Sequence, residues 1–147
     1  MTRKIIAALV LAISSVTMAY ADKYTIRRDA LPQTAQQMLD EYFPKAKVAM
    51  IKVDKHLLKK TDYDVKLTNG TKIEFSNAGK WTSVDCKTRA VPENLIPKAI
   101  RHHVGKNYAD AQIVSIEKKA YGYKIELSDG LELKYDHIGT FKGADID

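Results

Sequence analysis

The chain has 147 residues, 45% of them apolar, and a formal charge of +6 from 24 Lys and Arg against 18 Asp and Glu. That length suits one domain with a sizeable core. The basic residues are spread among acids, without a Lys/Arg run interleaved with aromatics, which argues against nucleic acid as a partner. The lone cysteine, Cys86, excludes an intramolecular disulfide.

Residues 1–21 read as a cleavable export signal. Arg3 and Lys4 form the positive start, Ile5 to Val16 an apolar run broken by Ser14 and Ser15, and Ala19-Tyr20-Ala21 a small-x-small cleavage site. The apolar run falls short of the roughly 20 residues that a bilayer span needs, so no membrane span is expected after cleavage. With no cysteine beside the site, a lipid anchor is not expected either. The mature chain should begin at Asp22, carry +4 once Arg3 and Lys4 are lost, and be periplasmic or secreted.

A first helix is expected from the one-faced spacing of Leu31, Ala35, Met38, Leu39 and Tyr42, with Pro32 at its first position and Pro44 ending it. A Val/Ile-rich strand follows over 47–55, and then the segment His56-Leu57-Leu58-Lys59-Lys60. Tyr63, Val65 and Leu67 share parity with Ile73 and Phe75 across Thr68-Asn69-Gly70. That parity requires a three-residue loop with Gly in the left-handed region, pairing Val65 with Ile73. Asn77-Ala78-Gly79 pairs Phe75 with Trp81 by the same rule. Continued alternation would then leave Thr82, Val84 and Cys86 facing outward unless a bulge intervenes.

The pattern then recurs. Ile96-Pro97 matches Leu31-Pro32 at an offset of 65, leading a helix through Ile100, His103, Val104 and Asn107. A strand over 112–119 follows. Tyr123-Lys-Ile-Glu-Leu-Ser-Asp-Gly130 matches Tyr63-Asp-Val-Lys-Leu-Thr-Asn-Gly70 at an offset of 60, the five-residue excess at 56–60 accounting for the change. Ser128-Asp129-Gly130 pairs Ile125 with Leu133 and Tyr123 with Tyr135. His137-Ile138-Gly139 pairs Tyr135 with Phe141, which leaves Lys142, Ala144 and Ile146 outward. The expected fold is therefore α+β: two tandem units, each a helix plus a four-stranded antiparallel meander, forming one curved sheet with helices on one face. The first unit covers 22–88 and the second 89–147.

These elements resemble the PepSY-like, β-lactamase-inhibitor-like family of exported bacterial proteins. The residues that carry the likeness are Leu31-Pro32 with Tyr42-Phe-Pro-Lys-Ala-Lys-Val48, and Tyr63-Asp-Val-Lys-Leu-Thr-Asn-Gly70 with Ile73 and Phe75. The resemblance runs from Ala30 to Asp145. It implies a curved antiparallel sheet, a periplasmic location, and a binding or inhibitory role in place of catalysis.

The sheet face away from the helices is the first candidate surface. It should carry Asp64, Lys66, Lys72 and Glu74 from one half, and Lys124, Glu126, Glu132 and Lys134 (with Asp136) from the other. Opposite charges are expected to alternate along and across the strands. An envelope protein or peptide is the expected partner, because mixed charge on an open face tunes specificity.

Other chemistries find weaker support. His102 and His103 are adjacent, so they diverge on a helix and do not form a metal pair, and His56 and His137 sit in loops. No cofactor is expected, with calcium the one candidate, at Asp62 and Asp64 or at Asp145 and Asp147; the EF-hand spacing is absent. Catalysis is not expected. Cys86 lacks a catalytic surrounding, and the carboxylate pairs Asp64/Glu74 and Glu126/Glu132 alternate with lysines. The function read from the sequence is a periplasmic, non-enzymatic binding module that inhibits or modulates another envelope protein. A ligand- or calcium-responsive protein is the alternative.

Overall fold

The computed structural model describes residues 23–55 and 61–146. The export signal, the 56–60 segment and Asp147 lie outside that range. Nine antiparallel strands form one sheet in chain order: β1 (Lys23–Thr25), β2 (Val48–Asp54), β3 (Asp62–Leu67), β4 (Lys72–Phe75), β5 (Trp81–Asp85), β6 (Ile113–Lys119), β7 (Gly122–Leu127), β8 (Leu131–Asp136) and β9 (Phe141–Ile146). Two ten-residue helices, α1 (Gln33–Tyr42) and α2 (Lys98–Asn107), interrupt the order.

This corrects the expected architecture. The molecule is one nine-stranded sheet with two short helices, not two helix-plus-four-strand units. Two findings decide it. β5 pairs directly with β6, Val84 opposite Ile116, so the ladder does not stop between the halves. A further strand, β1, pairs with β2 through Tyr24 and Lys52. The apolar row Ile51, Val65, Ile73, Val84, Ile116, Ile125 and Leu133 crosses seven strands with at most 2% exposure at each position. Both helices bury their apolar residues, Ala35 and Leu39 or Ile100 and Val104, in that same core. Splitting such a core would expose a strand edge and its inner face at once, which is why the sheet stays whole.

The hairpin registers agree with the loop chemistry. Val65 pairs with Ile73, and Ile125 with Leu133. Gly70 and Gly130 sit at φ of 90° and 91°. Asn69 Oδ1 accepts from the Thr71 amide at 3.0 Å and Asp129 Oδ1 from the Leu131 amide at 3.1 Å. A Cβ at either glycine would meet nothing within 4 Å. Gly70→Ala and Gly130→Ala are therefore each expected to cost only the conformational term, about 1 kcal/mol in a urea melt. Two variants that melt like the parent would contradict the loop assignment.

Pro32 and Pro97 stand one place earlier than expected, as the residues that cap α1 and α2, with ψ of 150° and 139°. The last strand of each half is corrected too. Register shifts between Glu74 and Phe75, and between Lys134 and Tyr135, leave one extra residue in β5 and in β9. The shift turns Val84 and Cys86 inward, at 0% and 3% exposure, and sends Ser83 and Asp85 outward. Ala144 falls opposite inward-facing Leu133, on the exposed edge strand.

Candidate functional site

The eight predicted site residues lie on the open face of β3, β4, β7 and β8, in two rows fixed by the register. One row runs Lys52, Asp64, Glu74, Ser83, Glu117, Lys124, Lys134. The other runs Met50, Lys66, Lys72, Asp85, Ser115, Glu126, Glu132, Asp145. The expected alternation of charge across strands is wrong. Asp64 lies opposite Glu74, Lys66 opposite Lys72, Lys124 opposite Lys134 and Glu126 opposite Glu132. Signs alternate along each strand, and strands paired in register then place like beside like.

Opposite charges meet on the diagonal instead. Lys124 Nζ lies 3.0 Å from Glu132 Oε1, and Lys134 pairs with Asp145 at 3.1 Å. Ser83 and Asp85 escape sequence reading because the bulge in β5 has no marker of its own, and Ser115 and Glu117 because β6 joins this face only through its pairing with β5. The need to bury Val84 and Cys86 was the signal that could have found the bulge. With Lys124 and Glu126 they line a depression of about 190 Å³ in the middle of the face. A second depression of about 310 Å³, beside Met50, Lys66 and Lys72, lies over β2 to β4. Met50 is 42% exposed there.

The strongest electrostatic perturbation falls at Asp64. Partial burial pushes its carboxyl up to about 6, helped by a hydrogen bond with and the charge of Asp54 and by Glu74 opposite, while Lys52 pulls the other way. Asp54 lies opposite Asp62 on the neighbouring strand, so carboxylates converge from three strands. Among the described residues, no three His, Cys, Asp or Glu side chains are arranged to hold a metal ion. The folded chain binds the Asp64 proton more tightly than an unfolded chain titrating at the ordinary 3.8. Its stabilising effect is therefore complete at low pH and is lost as pH rises through about 6. Asp64→Asn is expected to flatten stability against pH between about 4 and about 6. Thermal melts across that window test this, and an unchanged slope would contradict it.

Of the other singled-out residues, Cys86 lies in the core and His103 packs against it. Burial pushes the Cys86 thiol up, which keeps it protonated. His103 Nδ1 lies 2.8 Å from the Tyr135 hydroxyl, and its ring stacks on Phe141 at 4.5 Å. His137 Nε2 is 2.8 Å from the Ala120 carbonyl oxygen, and His102 is exposed. Lys118 Nζ sits 3.8 Å above the Trp81 ring, a contact between β6 and β5.

Residues 61–143 match the family described as "Putative beta-lactamase-inhibitor-like, PepSY-like", and the chain belongs to it. Solved structures agree. A protein of Bacteroides vulgatus described as a "putative periplasmic protein of unknown function" is 38% identical over 85% of this chain and 99% of its own, with a TM-score of 0.81. A "putative calcium-regulated periplasmic protein" of Bacteroides thetaiotaomicron is 39% identical over 84% of this chain and 96% of its own, with a TM-score of 0.79. A second periplasmic protein of B. vulgatus is 41% identical over the same shares, also at 0.79. No curated protein matches. The chain is a periplasmic module of this family. Among the described residues no helix is long and apolar enough to cross a membrane.

Proposed function

We propose that this chain is a non-catalytic binding module of the bacterial envelope that recognises a protein or peptide through its open sheet face and modulates it. The observation that carries this reading is the face itself. Twelve charged side chains, the eight expected from the sequence among them, stand in two ordered rows over shallow depressions, an arrangement that selects a partner by charge. The family's inhibitor-like description points the same way. The test is capture from the producer's periplasm with the exported chain as bait. An envelope protein should be retained by the parent and by Lys98→Glu, which alters the helix side, and lost with Lys66→Glu plus Glu132→Lys. Equal capture by the face-reversed variant would contradict the proposal.

A second reading, a calcium-responsive module, draws on the calcium-regulated relative and on the carboxylates of Asp54, Asp62, Asp64 and Glu74, which line one depression but must draw together to hold an ion, since no three of them are arranged to do so as they stand. Hard cations prefer such oxygen ligands and would relieve their mutual repulsion. Millimolar calcium should then raise the melting temperature of the parent but not of Asp64→Asn. No shift in either would contradict this reading.

A further inference from the structure

We propose that the open face is self-complementary and holds a second copy of this chain in a face-to-face dimer about a two-fold axis. This rests on the reading of that face as a recognition surface and names its occupant.

The argument is one of sign. Residues sixty positions apart carry opposite charges at all four sites: Asp64 and Lys124, Lys66 and Glu126, Lys72 and Glu132, Glu74 and Lys134. The register sets Asp64 and Glu74 in one row with Lys124 and Lys134. It sets Lys66 and Lys72 in the next row with Glu126 and Glu132. These eight residues thus form four blocks, each of two like charges, with signs that alternate along the rows and between them. Lys52, Asp85, Glu117 and Asp145 share the rows and fall opposite Gly143, Met50, Ser83 or Ser115 under a two-fold axis along or across the strands.

Such a pattern reverses sign on reflection across either midline. A two-fold axis lying in the interface performs that reflection while turning one copy over. With the axis along the strands, Lys66 and Lys72 meet Glu132 and Glu126 of the second copy, and Asp64 and Glu74 meet Lys134 and Lys124. With the axis across the strands, each lysine block meets the carboxylate block of the same half. In both cases every block faces its opposite, which is what an isologous interface demands.

The like-charged neighbours support this. Directly opposed like charges weaken a sheet on its own; the diagonal pairs Lys124–Glu132 and Lys134–Asp145 offset part of this in the second half, and a second copy would bring opposite charge to every block. Near the two-fold centre the small side chains of Ser83 and Ser115 leave the central depression. The area suffices: eight strands at ~4.8 Å spacing and ~17 Å height give about 1,300 Å² over two copies, above the ~1,000 Å² floor for a specific interface.

The test is sedimentation equilibrium of the full exported chain, with no other protein present. The parent should be dimeric at low salt and dissociate in molar salt, where charge is screened. Lys66→Glu with Lys72→Glu makes one half uniformly acidic and should weaken the dimer roughly tenfold or more. Adding Glu126→Lys and Glu132→Lys should restore it if the axis runs along the strands. Adding Asp64→Lys and Glu74→Lys should restore it if the axis runs across them. Restoration by either set supports the proposal; a reversal that neither set repairs overturns it. Circular dichroism identifies any variant that fails to fold, and the salt dependence of the parent then decides. A parent that stays monomeric at millimolar concentration overturns self-pairing but leaves the binding-module reading to the capture experiment.

Discussion

Gly122→Ala is expected to destabilise the fold by about 3 kcal/mol or more, a large share of a domain's total stability. Gly122 opens β7 after the tight turn at Ala120-Tyr121 and lies opposite both Lys119 and Asp136. Its φ is 144°, a region that L side chains rarely adopt. A Cβ there would stand 2.2 Å from the Tyr135 carbonyl oxygen and 2.4 Å from the Asp136 carbonyl carbon. Both are backbone atoms of the adjacent strand, so no rotamer change relieves the overlap and the β7–β8 ladder must part. Gly130→Ala provides the control, since it has positive φ but open space. A guanidinium melt that shifts both variants equally would contradict the crowding argument.

Tyr135→Ala should cost about 4 kcal/mol, and Tyr135→Phe about 1 kcal/mol. Tyr135 is fully buried on β8, edge-on to His103 at 5.5 Å and tilted against Phe141 at 5.6 Å. Truncation empties the space where β8, β9 and α2 meet. Burial raises the Tyr135 pKa, so its hydroxyl stays protonated and can donate to His103 Nδ1. The phenylalanine variant keeps the ring but leaves His103 without that partner. Chemical denaturation of both variants separates packing from hydrogen bonding. Equal losses would show that the hydroxyl, not the ring, holds the helix.

The local chemistry of this fold was legible because it is short-ranged. Asn69-Gly70 and Asp129-Gly130 announce their loops, and parity around them gives the registers of β3–β4 and β7–β8. What spans the sheet was not legible. β1 is three residues with no apolar period, and its pairing with β2 follows from tertiary placement. The β5–β6 ladder joins residues thirty or more apart, which no local signal marks. The bulge in β5 adds one residue and reverses a face, so Val84 and Cys86 were placed outside when the core required them inside. The open-face position of the eight candidate residues follows from alternation alone, but their like-charged pairing does not, because alternation gives the sign along strands and not across them. The raised carboxyl of Asp64 depends on Asp54 arriving from β2, across a segment that carries no register signal.

If the open face, and not the helix side, is the recognition surface, its lysines should be shielded in the cell. Amine-reactive labelling of the chain inside the intact periplasm, read by mass spectrometry against dilute purified protein, tests it most directly. Lys66, Lys72, Lys124 and Lys134 should be protected in the cell, while Lys98 and Lys106 on α2 react equally in both. Equal labelling of both sets, or protection confined to α2, would contradict the account.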